Sequence, residues 1–210
     1  MKTFYLAAAA AILAAAPASA AVVTLTFEGI GDLNPVGSFY GPTYTFSTAT
    51  LALVDSDAGG TGNFANEPTA DTVMFFQDAN DAILDVAGGF TTGFSFFYSS
   101  STAASVNVYD GAGGTGNILA TLNLTAQGFD NCVGDPNGSY CNWTAVGVLF
   151  SGTALSINFG GTANQTAFDN ITFGSDTPVI PEPATWAMMI TGFGLVGFAA
   201  RRRRSGAVAA

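Results

Sequence analysis

Gly93-Phe94-Ser95-Phe96-Phe97-Tyr98 alternates bulky with small side chains, and the alternation returns in Ser105-Val106-Asn107-Val108-Tyr109 and, after a glycine-rich turn, in Ile118-Leu119-Ala120-Thr121-Leu122-Asn123-Leu124. A period of two places every second side chain on one face of an extended chain, so each segment predicts a half-buried strand. The texture continues outward at 22–27, 43–53, 72–76, 146–150, 154–159 and 167–173, each run bounded by Gly, Asn, Asp, Pro or Ser. About nine short strands with regular turn signals and no long amphipathic helix predict an all-β protein, an antiparallel, jelly-roll-like β-sandwich. Phe94, Phe96, Phe150 and Phe159 are candidates to fill its core. The repeated turns Gly59-Gly60-Thr61-Gly62-Asn63 and Gly113-Gly114-Thr115-Gly116-Asn117 read as loops, because glycine supplies the positive φ of tight turns.

The charges are distributed unevenly along the 210 residues, with 5 Lys+Arg against 15 Asp+Glu, a net charge of -10 and no histidine. The cations are Lys2 and Arg201 to Arg204, so none lies from Thr3 to Ala200. Imidazole-dependent nucleophiles, lysine Schiff bases, phosphate-binding lysine loops and histidine-bound zinc are therefore excluded from the middle of the chain. A nucleic-acid backbone would find nothing there to neutralise it. Gly111 to Gly116 fits G-x-G-x-x-G but lies between two strands, without the helix N-terminus that holds a pyrophosphate.

Both ends read as addresses. Residues 1–20 combine Lys2, an apolar run from Leu6 to Ala16, Pro17 and the small residues Ala18-Ser19-Ala20, the layout of a secretory signal peptide cut before Ala21. At the other end, 184–200 carries no formal charge and runs straight into Arg201-Arg202-Arg203-Arg204. As a helix these 17 residues would be about 26 Å long, enough to span a bilayer with slight thinning. The arginines would stop transfer and remain in the cytoplasm. The passenger between the two addresses is 21–178, one domain by size, and 205–210 is a short neutral tail.

Pro181-Glu182-Pro183, then Thr185-Trp186-Ala187-Met188-Met189-Ile190, then Gly192-Phe193-Gly194-Leu195-Val196-Gly197 and the arginines together resemble the PEP-CTERM sorting signal, here spanning 179–204. The resemblance implies recognition by exosortase, an integral-membrane cysteine protease of Gram-negative bacteria. It further implies cleavage close to Pro-Glu-Pro, and release or transfer to the cell surface, in a family often associated with exopolysaccharide and biofilm. Two prolines hold the motif extended and out of both sheet and helix, where a protease can reach it. The expected route is export through the inner membrane, temporary anchoring with the passenger in the periplasm, and then the surface or medium.

Within the passenger, Cys132 and Cys141 flank the turn Asp135-Pro136-Asn137-Gly138 and are expected to form a disulfide in an oxidising compartment; a free thiol is the alternative. Fourteen of the fifteen carboxylates, all but Glu182, lie between Glu28 and Asp176 with no cation among them. Each must be solvated, accept turn hydrogen bonds or share a metal ion. Asp78, Asp81, Asp110 and Asp135 read as solvated loop residues, and Asp55-Ser56-Asp57-Ala58-Gly59 as a polar turn. Glu28 and Asp169 differ, since each interrupts a strand pattern near one end of the domain. Their placement resembles that of carbohydrate-binding jelly rolls whose terminal strands share a structural calcium, which implies a Ca2+ site at Glu28 and Asp169; the alternative is an Asx-type hydrogen bond from Asp169 and an exposed Glu28. No other cofactor is called for. Tyr140 and Trp143 are candidates for stacking on sugar rings, with Tyr40 and Tyr44 near Pro42; covering the sandwich edge is the more ordinary use of Trp143.

The expected function is therefore that of an exported surface or extracellular-matrix protein with a non-catalytic structural or adhesive passenger. A carbohydrate-binding module, engaging exopolysaccharide, is the alternative. A glycosidase working with two carboxylates comes third, and needs such a pair in a cleft with one pKa raised.

Overall fold

A computed structural model describes residues 22–130, 132 and 139–180. The signal peptide, the Pro-Glu-Pro motif, the apolar segment 184–200, Arg201 to Arg204 and the turn at Asp135 lie outside these residues. Eleven strands are present: β1 (Val23–Leu25), β2 (Tyr44–Phe46), β3 (Thr50–Val54), β4 (Thr72–Phe76), β5 (Asp81–Phe90), β6 (Gly93–Ser100), β7 (Ala104–Tyr109), β8 (Ile118–Leu124), β9 (Thr144–Leu149), β10 (Ala154–Gly160) and β11 (Thr166–Phe173). One sheet has the order β3-β4-β11-β6-β9 with β1 beside β11, and the other β2-β5-β10-β7-β8. Every strand pairing is antiparallel. Among the described residues no helix is long and apolar enough to cross a membrane.

The period-two pattern explains the sandwich. Phe94, Phe96 and Tyr98 on β6 face Ile157 and Phe159 on β10 and Leu84 on β5 across one core, all buried. Phe159 meets Phe168 of β11 with ring centroids 5.0 Å apart, and Phe96 meets Phe168 at 5.6 Å, both edge to face as aromatic quadrupoles prefer. Phe150, beyond the end of β9, is only partly buried and packs against the core margin.

Two sequence expectations are corrected. The single strand expected at 43–53 is β2 and β3, which belong to different sheets and are joined by a turn closed by Thr50 N donating to Ser47 O at 3.0 Å. Asp81 opens β5, the longest strand, and its carboxylate accepts from Asn158 Nδ2 at 2.9 Å, so it is not a solvated loop residue. Ala82, Leu84 and Val86 do alternate into the core. The flanking Asp and Asn residues and Gly88-Gly89 hide that pattern in the sequence.

The chain leaves β11 as a strap across the outer face of the first sheet. Ser95 Oγ donates to Ser175 O at 2.9 Å, and Val179 N donates back to Thr172 Oγ1 at 3.2 Å. Gly93 and Gly147 make room for it, because a β-carbon on Gly147 would overlap the Asp176 carbonyl. Gly147→Ala is expected to lift the strap, at a cost of about 1–3 kcal/mol. Digestion by a nonspecific protease should then cut faster between Gly174 and Ile180; an unchanged fragment pattern and Tm would contradict this packing.

Candidate functional site

β11 changes partner along one edge. Ala167 and Phe168 pair with Phe75 and Met74 of β4, whereas Ile171 to Phe173 pair with Leu25 to Val23 of β1. Between them the register against β6 slips, with three steps on β11 from Asp169 to Thr172 set against two on β6 from Phe97 to Ser95. This is a β-bulge, and Asn170 takes the left-handed conformation, φ 49°, that the extra residue requires. The bulge aims Asp169 and Asn170, both fully buried, at the junction where β1 ends and β4 begins.

The carboxylate of Asp169 accepts from Asn170 N at 2.6 Å through one oxygen and from Thr69 N at 3.0 Å through the other. Thr69 Oγ1 donates to Asn170 Oδ1, while the buried Asn170 Nδ2 has no hydrogen-bond partner among the described residues. Glu28 follows β1 and accepts from Thr72 N at 3.0 Å and Thr72 Oγ1 at 3.2 Å. The backbone beside these groups is strained, with left-handed φ at the bulky Phe27 (64°) and at Asp71 (79°). Phe27 N donates to the Tyr40 hydroxyl at 2.6 Å, which ties the loop after β1 to the loop before β2.

With no cation in the described residues, the only charges these carboxylates meet are one another's. Burial pushes Glu28 up from 4.5 to about 7 against the hydrogen bonds from Thr72, and the charges of Asp71 and Glu67 add to the rise. Asp169 is raised well above its ordinary value, first by burial and then by Glu28 and Glu67, although two backbone N–H groups favour its ionised form. Glu67 is raised by burial, with Asp55 and Asp71 adding to it. The sequence singles out Glu28 and Asp169 because they interrupt strand patterns. Glu67 and Asp71 join them through the loop before β4, and their Asn-Glu-Pro and Asp-Thr surroundings look like any polar loop.

The donor chemistry suits a hard cation, since only carboxylate, amide and hydroxyl oxygens converge. Among the described residues, however, no group of three or more Asp, Glu or Cys side chains is arranged to hold a metal ion. A cation between Glu28 and Asp169 would have to complete its shell with backbone carbonyls or water. Asp55 is nearly buried in its own turn, where Asp57 N donates to its Oδ1 at 3.4 Å and Gly60 N to its carbonyl at 2.8 Å.

Tyr140 and Trp143 cover the outer face of the first sheet. Cys132 and Cys141 form a disulfide with Cα atoms 5.2 Å apart, which by the chain-entropy model contributes about 2–3 kcal/mol for so short a loop. Trp143 meets Phe64 edge to face at 6.3 Å and donates from Nε1 to Ala65 O at 3.1 Å. The Tyr140 hydroxyl donates to Ser101 Oγ at 3.1 Å. Both rings are partly buried and pack on the small cluster of Phe64, Val73 and Ala167, with their polar atoms bonded within the domain. Tyr40 is likewise turned inward, against Phe27 and Phe46.

The chain carries a PEP-CTERM protein-sorting motif, matched over residues 179–204. No curated protein matches it. Solved structures with a similar fold include a glycoside hydrolase family 43 arabinoxylan arabinofuranohydrolase from Bacillus subtilis, at 21% identity over 69% of this chain and 28% of that one, with a TM-score of 0.39. This chain thus spans little more than a quarter of that enzyme's length. Others are a carbohydrate-binding module of Cellvibrio mixtus lichenase 5A, at 12% identity over 69% of this chain and 98% of that one (TM-score 0.38), and a cleaved adhesin domain of Lys-gingipain from Porphyromonas gingivalis, at 12% identity over 73% and 98% (TM-score 0.40). The motif implies export, processing by an exosortase at the membrane, and delivery to the cell surface.

Proposed function

We propose that the protein is a cell-surface or extracellular-matrix component whose jelly-roll-like sandwich is structural or adhesive and performs no catalysis. Its signal peptide would be removed before Ala21, the segment 184–200 would hold it in the inner membrane, and an exosortase would cleave near Pro181-Glu182-Pro183. The sorting motif carries this reading. The folded domain agrees with it, because the strap stays bound to the sheet as far as Val179, two residues before the Pro-Glu-Pro. Processing near the motif therefore leaves the sandwich whole.

A non-catalytic passenger is supported by the carboxylates. Of the three carboxylates with raised pKa values, Glu28, Glu67 and Asp169, the last is fully buried, so a glycosidic oxygen cannot reach it. Those groups serve the fold instead, and we propose that a calcium ion or a proton neutralises them. The surface reading is tested by fractionating host cells with and without the protease. Without it, the protein should remain with the inner membrane; with it, the protein should leave that fraction. Identical distribution in the two strains would refute exosortase processing. Polysaccharide binding is the second reading, and one further observation favours it.

A further inference from the structure

A cavity lies between the two sheets at the Val23–Phe173 end of the β1–β11 pairing, on the other side of that pairing from the bulge. It has a volume of about 320 Å³ and is bordered by Tyr44 of β2, Gly88, Gly89 and Phe90 of β5, Phe173 of β11 and Thr153. Tyr44 stacks at a shallow angle on Phe173, with centroids 5.0 Å apart and planes at 30°, and Phe90 meets Phe173 edge-on at 4.9 Å. Tyr44 and Phe90, both partly buried, form an apolar wall backed by the buried Phe173. Tyr44 is only partly buried, and its hydroxyl, pushed up by that burial, has no hydrogen-bond partner among the described residues.

β5 opens this end of the sheet. Against β10, Phe90 pairs with Ala154 and Asp85 with Ser156, so four residues of β5 lie opposite Leu155 alone. Against β2 the pairing stops at Val86. Gly88 and Gly89 thus stand outside the register of both neighbours, with φ of 84° and 74°, and line the rim of the cavity. A β-carbon on Gly88 would meet nothing within 4 Å, whereas one on Gly89 would press on Ala154 O at 2.8 Å. A purely apolar guest would strip water from the hydroxyls of Tyr44 and Thr153 and return no hydrogen bond. A ligand with an apolar face and a fringe of hydroxyls satisfies both the ring wall and the rim.

Charge narrows the class further. No carboxylate or basic side chain borders the cavity, and the domain around it bears carboxylates without a balancing cation. An acidic polymer would be repelled on approach. We propose that the Tyr44 cleft binds a neutral polysaccharide, with the aromatic wall against a sugar ring and the Gly88-Gly89 backbone and the hydroxyls of Tyr44 and Thr153 toward its hydroxyl groups. The proposal rests on the polysaccharide-binding reading of the passenger and gives it a ligand class and a place.

Affinity electrophoresis of the purified protein through native gels containing hydroxyethyl cellulose, dextran or polygalacturonate tests it. Retardation is expected in at least one neutral gel and none in polygalacturonate. Tyr44→Ala should weaken the retardation about tenfold, and Tyr44→Phe, which keeps the ring, should retain most of it. Should Tyr44→Ala fail to fold, Gly88→Ala replaces it: its β-carbon lies in open space at the rim, and it should weaken retardation while lowering Tm by only about 2–8 °C, the strain of a side chain at φ 84°. Full retardation in folded Tyr44→Ala or Gly88→Ala would overturn the cleft and leave an adhesive passenger with a glycan site elsewhere. Absence of retardation in both neutral gels, or stronger retardation by polygalacturonate, would overturn the proposal without touching the membrane-processing result, which is measured separately.

Discussion

Asp169→Ala should lower the stability of the sandwich by roughly 3 kcal/mol at pH 5, since two backbone donors, the partly buried Thr69 N and the buried Asn170 N, lose their acceptor. For a chain of this size that is a fall in Tm of roughly 6–12 °C. Asp169→Asn supplies only one acceptor oxygen to the two donors and should fall between parent and alanine variant. Glu28→Gln is expected to behave differently. Its neighbour Thr72 keeps an acceptor, while a partly buried charge disappears, so in chelator at pH 8 the variant should melt at or above the parent temperature. If both Asp169 variants melted like the parent, the bulge would not depend on that carboxylate.

Raising the pH from 5 to 8 in the presence of chelator should lower the Tm of the parent protein. Glu28 titrates at about 7 in the folded chain against 4.5 ordinarily, and Asp169 is displaced in the same direction. Between those pH values the native state holds protons that the unfolded chain has released, so stability is complete below pH 4.5 and is lost as the pH climbs through 7. Asp110 has the opposite sign, held below its ordinary 3.8 by hydrogen bonds from Asn117, and acts only under more acid conditions. Calcium should restore the Tm at pH 8 and leave it unchanged at pH 5, where protons already neutralise the junction. A Tm that rises from pH 5 to 8 in chelator would contradict the electrostatic account of the junction, and a Tm indifferent to calcium at pH 8 would leave neutralisation to protons alone.

The sandwich was legible because strand faces follow a local rule: Phe94, Phe96, Phe159 and Phe168 announce their side of the sheet by spacing alone. Asp169 was legible for the complementary reason, as a carboxylate set among Phe168, Ile171 and Phe173 with no cation to excuse it. What spacing does not encode is which loop arrives beside it. Glu67 and Asp71 reach the junction only because β4 takes one half of the β11 edge and β1 the other, a tertiary fact. β5 was obscured by Asp81, Asp85 and the paired glycines, which locally read as a turn while tertiary packing of Ala82, Leu84 and Val86 makes a strand. Tyr140 and Trp143 advertise themselves as exposed aromatics beside a disulfide, yet the sheet beneath them had an outer face to cover. Tyr44, the less conspicuous tyrosine, borders the larger of the two openings that a tyrosine lines among the described residues.

The intact mass of the protein recovered from the surface or medium of its host bears most directly on the whole account. A chain beginning at Ala21 and ending close to Pro181-Glu182-Pro183, shorn of the uncharged stretch and of Arg201 to Arg204, is the expected result. A surface-located chain that still contains those arginines, or one that still begins at Met1, would contradict it.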